Sequence, residues 1–163
     1  MNENLSADDS SPLIGMQGEP FELVIERGKI LEFARATKAE DPVYLEDPEP
    51  VVPPTFLTTA AHWAPQHERE LLESTGWDVR RMLHAEQEYV FPGPVPRAGM
   101  LLRGVTRIES VYEREGRRAG ALRFVVLATE FRNTQGALVA LARTTVVETS
   151  RVPEEVEHRD SME

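Results

Sequence analysis

Hydrophobic and polar residues alternate through three long stretches in the second half of the chain. From Leu101 to Arg114, Leu102, Ile108 and Tyr112 fall on one side of an extended backbone. Arg103, Arg107, Glu109 and Glu113 fall on the other. Alternation with period two describes a strand with one face on a core and one in water. Ala121 to Phe131 is a more apolar strand, and Ala137 to Glu148 completes the run. Gly116 and Gly120 mark one turn and Asn133 to Gly136 the next, so the three strands make an antiparallel meander. Met82 to Phe91 holds a further alternating segment, ended by the run Pro-Gly-Pro-Val-Pro, which cannot continue a central strand.

The first half reads differently. Phe21, Leu23 and Ile25 alternate with Glu22 and Glu26 as a short strand that Gly28 breaks. Ile30, Phe33, Ala34 and Thr37 recur at helical spacing, which predicts an amphipathic helix over 29–37. Lys38 to Pro50 is an acidic, proline-containing loop. Val51 to Ala64 carries no charge. Pro53 and Pro54 stiffen its entry, and Phe56, Ala60 and Ala64 share a face with Leu57 and Ala61 beside them. A helix without a charged face is expected to be buried. Gln66 to Thr75 predicts a second, polar helix with Gly76 as its cap. The strands are expected to wrap around the apolar helix. The fold class is therefore α+β, a curled antiparallel sheet around a central buried helix, which is the hotdog architecture.

Composition narrows the partners. With 18 basic and 28 acidic residues the formal charge is −10, which disfavours nucleic acid and anionic membrane surfaces. No apolar run approaches the roughly 20 residues needed to span a bilayer, so no membrane partner is expected. Cysteine is absent, which excludes disulfides and thiolate chemistry and suits a cytoplasmic protein. The acidic start, Met-Asn-Glu-Asn-Leu-Ser-Ala-Asp-Asp, is unlike a signal peptide. The chain of 163 residues is expected to hold one domain over 19–150 between flexible tails at 1–18 and 151–163.

Four stretches together carry a resemblance. They are LEFARATKAEDPVY (31–44), VPPTF (52–56), LHAEQEYVFPGPVPRAG (83–99) and FVVLATEFRNTQGALVALARTTV (124–146). They resemble the MaoC-like hydratase/dehydratases, most closely the N-terminal hotdog domain of the fatty-acid-synthase type, over roughly residues 20 to 148. The resemblance implies a hotdog fold. It also implies reversible hydration of 2-enoyl thioesters of coenzyme A or acyl carrier protein to (3R)-hydroxyacyl thioesters. No cofactor and no metal are expected.

Active members of that family carry a Gly-Asp-x-Asn-Pro-(aliphatic)-His loop after the first helix. Hydration needs an acid and a base on one edge of the substrate, and the Asp and His hold the water between them. A backbone N–H where the central helix begins can polarise the thioester carbonyl. On this chain the Gly position falls on Lys38, Asp on Ala39, Asn on Asp41, Pro on Pro42 and His on Tyr44. The frame is kept and the catalytic pair is lost. Ala39 cannot move a proton, and a tyrosine with a pKa near ~10 is a poor base at neutral pH. Glu40 and Asp41 are the nearby acids that would have to substitute. Degenerate hotdogs of this family pair with an active one and help hold the acyl chain. A chain of this length has no room for a second hotdog, so a separate catalytic MaoC-like chain is the expected partner in a heterodimer.

The acyl tunnel is expected beside the first turns of the apolar helix, near Thr55, Phe56 and Thr59. His84 and Gln87 are candidates for polar contacts with the thioester or carrier arm, with Glu86 beside them; a strand-end hydrogen bond is the plainer role for His84. Phe56 and Trp63 read equally as core. His62 and His67 are spaced i, i+5, which suits a shared metal poorly. Arg114, Arg117 and Arg118 read as a solvated turn or a phosphate contact. Two other functions compete. One is a homodimeric module that binds acyl thioesters or lipids without catalysis. The other is a hotdog thioesterase, which needs a carboxylate on or near the central helix. Val51 to Pro65 has none, and Glu68 and Glu70 read as solvent-facing.

Overall fold

The computed structural model describes residues 11–63, 65–116 and 120–149. Its elements in chain order are β1 (Phe21–Val24), α1 (Arg27–Ala36), α2 (Pro42–Leu45), a 3-10 turn (Phe56–Thr59), α3 (Ala60–Trp63), α4 (Pro65–Ser74), a second 3-10 turn (Val79–Arg81), β2 (Met82–Val90), β3 (Leu101–Gly116), β4 (Gly120–Asn133) and β5 (Leu138–Glu148). The strands form one antiparallel sheet in the order β1-β3-β4-β5-β2. This is the hotdog arrangement, and the three long strands stand where the alternation puts them.

The sheet closes over two groups of buried side chains. One gathers Ile25, Ile30, Phe56, Leu57, Leu102 and Phe131 under the helical segments. The other gathers Leu71, Trp77, Ile108, Val125, Leu127 and Val146. Each fully buried side chain of this size stabilises the fold by roughly 1.5–3 kcal/mol. Gly104 serves one of these contacts. The Phe21 ring lies where a Cβ on Gly104 would be, and it meets Phe131 edge-on at 6.0 Å.

A bulge in β3 changes one expected face. The pairing with β4 slips between Ile108 and Ser110, so Glu109 is an extra residue. Before it, Leu102, Gly104, Thr106 and Ile108 point to the core. After it the core position passes to Val111, opposite buried Val125. Tyr112 therefore leaves the face of Leu102 and Ile108. It stacks on Phe124 at 4.9 Å and 8° on the outer side, under the Arg114 guanidinium. One inserted residue reverses the alternation beyond it.

The apolar segment also departs from expectation. Phe56, Leu57 and Ala60 are buried, but the backbone takes a 3-10 turn and then α3 and α4 rather than one helix from Val51. Ala61 and His62 are exposed. Lack of charge marks this stretch as apolar, not as buried on all sides. Gly28 lies in the first turn of α1 instead of breaking β1. Ser11 to Gly18, expected within a tail, runs along β3: Gly15 and Gly18 donate to Ile108 and Thr106, and Leu13 packs on the second core group. Residues 1–10 of the expected N-terminal tail, the expected C-terminal tail at 151–163, and Arg117 and Arg118 lie outside the described residues.

Candidate functional site

The loop after α1 keeps a specific backbone. Lys38 donates to Arg35 and Ala39 donates to Ala34, the paired bonds that close a helix around a left-handed residue. That residue is Lys38, at φ 57°, where glycine is favoured. Asp41 then caps α2, its carboxylate accepting from the Val43 N–H at 3.0 Å, with Pro42 as the first helical residue. Ala39 offers a methyl. Tyr44 packs against the first core group, as does Phe33. Glu40 is exposed, and Asp41 is committed to its cap. The structure gathers no acid–base pair from these residues.

Farther along, the three tunnel candidates part company. Thr55 is exposed. Phe56 is 2% exposed and meets Phe33 edge-on at 5.5 Å, so it is a core residue first. Thr59 is half-buried, and its hydroxyl is buried without a hydrogen-bond partner among the described residues.

His84 and Gln87 come together on β2. The Gln87 amide nitrogen donates to the Arg143 carbonyl at 3.1 Å, which fixes which end of the amide is oxygen. That oxygen accepts from Thr144 at 3.0 Å and faces His84 Nε2 at 3.2 Å. An oxygen cannot donate, so neutral His84 carries its proton on Nε2 and leaves Nδ1 as an acceptor. Both residues line a cavity of about 120 Å³ between the helical segments and the β2–β5 edge.

Glu68 faces the same cavity. This corrects its reading as solvent-facing; Glu70 is exposed as expected. Burial pushes the Glu68 carboxyl above its ordinary range, and His84 opposes the shift. Burial likewise raises the Tyr89 phenol, with the nearby Thr58 hydroxyl opposing the shift and the charge of Glu68 adding to it. Glu68 thus lies within electrostatic reach of two groups on β2. A signal for it exists in the sequence. Glu68, Leu71, Leu72 and Thr75 lie at i, i+3, i+4 and i+7, and all four are at least partly buried.

Comparison with known proteins covers most of the molecule. Residues 12–142 match the family model of the FAS1-like dehydratase domain region. No curated protein sequence matches. Among solved structures, a chain of the C-terminally truncated HadBC (3R-hydroxyacyl-ACP dehydratase) complex of Mycobacterium tuberculosis is 29% identical, with a TM-score of 0.65 over 84% of this chain and 98% of that one. A MaoC-like dehydratase is 22% identical, with a TM-score of 0.69 over 84% of this chain and 42% of its own. A chain of the ChsH1–ChsH2 complex of Mycobacterium tuberculosis is 14% identical, with a TM-score of 0.53 over 85% and 99%.

Proposed function

Because the chain belongs to the FAS1-like dehydratase domain family, within the MaoC-like hotdog dehydratases, we propose that it is the acyl-holding half of a two-chain enzyme. The enzyme is a (3R)-hydroxyacyl-thioester dehydratase, or enoyl-thioester hydratase, of the cytoplasm. A second MaoC-like hotdog chain supplies the acid and the base. One observation carries this reading: the loop from Lys38 to Tyr44 has a left-handed residue where the resemblance puts Gly and a capped turn where it puts Asn-Pro, around Ala39 and a packed Tyr44. A frame kept without its chemistry fits a chain that preserves a shared cleft.

The division of labour follows from what each half offers. The partner's acid–base pair removes a proton from one carbon and the hydroxyl from its neighbour, or adds both. This chain contributes the wall: the cavity beside Leu57, Ala60 and Ala142, with Gln87 held rigidly at its rim. Two features support a partner. β2 is a sheet edge with unpaired backbone groups on one side, and Leu83 and Val90 on it are exposed. Ala61 and His62 expose the end of the apolar segment beside it. The HadBC match, itself to a chain of a dehydratase complex, supports the same arrangement.

Copurification tests the reading. The chain, expressed in its native host with an affinity tag, is expected to bring down a second hotdog chain carrying the intact Asp and His. The pair hydrates crotonyl-CoA or crotonyl carrier protein in an absorbance assay. A monodisperse monomer from that host, active by itself, contradicts the reading. A second reading is favoured by Glu68: a carboxylate on the helix, facing a cavity, is what thioester hydrolysis on this fold requires. Release of free thiol from acyl-CoA, lost in Glu68→Gln, would select it.

A further inference from the structure

We infer that the cavity between α4 and β2 is a specificity subsite for an acyl group that carries a hydroxyl of its own, separate from the one the reaction adds or removes. The inference rests on the reading of this chain as the acyl-holding half. It turns on the composition of the cavity wall. Leu57, Ala60, Ala61 and Ala142 supply an apolar side. The remainder is Thr58, Glu68, His84, Gln87, Tyr89 and Thr144, six side chains that bear polar atoms.

A plain hydrocarbon tail fits that wall badly. It would displace water from polar groups and return no hydrogen bonds. Some of the six are already satisfied. Thr144 and His84 bond the Gln87 oxygen. Two groups are not. The Glu68 carboxyl and Nδ1 of the exposed His84 have no hydrogen-bond partner among the described residues and are left to solvent. Both are acceptors, the first when ionised and the second when neutral. The upward push on the Glu68 carboxyl is what burial without a donor produces.

A ligand that displaces that solvent must therefore bring a donor. A hydroxyl does so, and its oxygen can in turn accept from the Tyr89 phenol. A ketone brings no donor and leaves both acceptors empty. An ammonium would match the charge of Glu68 but meets the four apolar side chains and the edge of His84. The space, about 120 Å³, equals roughly four waters and takes a short hydroxylated segment of chain.

The test uses the full chain as purified, with any hotdog partner that accompanies it. Hexanoyl-CoA is compared with 4-, 5- and 6-hydroxyhexanoyl-CoA by titration calorimetry. At least one hydroxylated thioester is expected to bind about tenfold more tightly than hexanoyl-CoA, the worth of one well-placed hydrogen bond. Glu68→Leu is expected to abolish that preference, so that hexanoyl-CoA and its hydroxylated analogues bind equally. Glu68→Gln, which keeps an acceptor oxygen, is expected to retain part of it, and its thermal melt reports whether the site still folds. If hexanoyl-CoA binds as tightly as every hydroxylated analogue, the subsite inference fails and the acyl-holding reading stands. If no thioester binds, both fail.

Discussion

Glu148 and Arg123 are cross-strand partners on β5 and β4, and the carboxylate that accepts from Arg123 is only 2% exposed. The same carboxylate accepts from Arg81 and from the Asp78 N–H at 2.9 Å. Arg123 in turn lies over the Trp77 ring at 4.9 Å. One acid thus ties the ends of two central strands to the segment that leads into β2.

Removing that acid tests how much the tie contributes. Breaking a fully buried ion pair costs roughly 3–5 kcal/mol. Here both arginines reach solvent, so Glu148→Ala is expected to cost roughly 2–3 kcal/mol, mostly from the orphaned Asp78 N–H and the lost charge-assisted bonds. Glu148→Gln keeps an acceptor for Asp78 and is expected to lose less. Urea unfolding of both variants checks the order; equal losses would show that the charge contributes nothing.

Lys38 occupies a glycine position, and its cost is measurable. A side chain held in the left-handed region costs roughly 1–2 kcal/mol, partly offset because glycine loses more freedom on folding. Lys38→Gly is expected to stabilise the chain by roughly 0.5–1 kcal/mol. An unchanged or lowered urea midpoint would mean that the lysine side chain makes a stabilising contact elsewhere.

Both loops also show where sequence is informative. The hotdog sheet was legible because its long strands alternate cleanly and their turns carry Gly and Asn. The bulge at Glu109 was not, since Ile-Glu-Ser carries no glycine or proline to mark it, and the reversal it imposes on Tyr112 is a register effect. The loop from Lys38 to Tyr44 offers Ala39 and Tyr44 where the resemblance puts an acid and a base, a difference that the residues alone carry. Glu68 was missed for the opposite reason. It lies in a polar, charged stretch, and its direction is set by how Leu71 and Leu72 seat α4 on the sheet.

The proposed reading makes the isolated chain catalytically silent, because Ala39 and Tyr44 stand where the resemblance puts the acid and the base. Purified without a partner, it is expected to show no hydration of crotonyl-CoA above the uncatalysed rate. Turnover that persists in a demonstrably single-chain sample would direct attention to Glu68 and His84, the acid and the potential base that share the cavity.

The ionisation of Glu68 gives a pH signature. Its folded pKa lies above the unfolded value of about 4.3, so the folded state holds the proton more tightly. Stability from this group is present below that value and is lost as pH rises through the folded pKa. Glu68→Gln carries no charge at any pH. It is expected to match the wild type in urea midpoint near pH 4 and to exceed it near pH 7. A difference that stays constant across this range would show that the carboxyl is fully solvated.

Thr59 joins stability to function in one side chain. Threonine in a helix normally returns its hydroxyl to a backbone carbonyl of the preceding turn. Thr59 does not, and its hydroxyl is buried without a partner among the described residues. A buried, unpaired hydroxyl costs roughly 1–3 kcal/mol, and valine has nearly the same shape without it. Thr59→Val is therefore expected to raise the stability of the free chain by roughly 1 kcal/mol. If the hydroxyl is kept for the bound acyl thioester, the same substitution weakens thioester binding, since the ligand then loses its partner. Greater stability with weaker binding marks a group held in an unfavourable state for a ligand. Greater stability with unchanged binding would place the acyl group away from Thr59, along the Thr58 and Ala61 side of the segment, where the cavity lies.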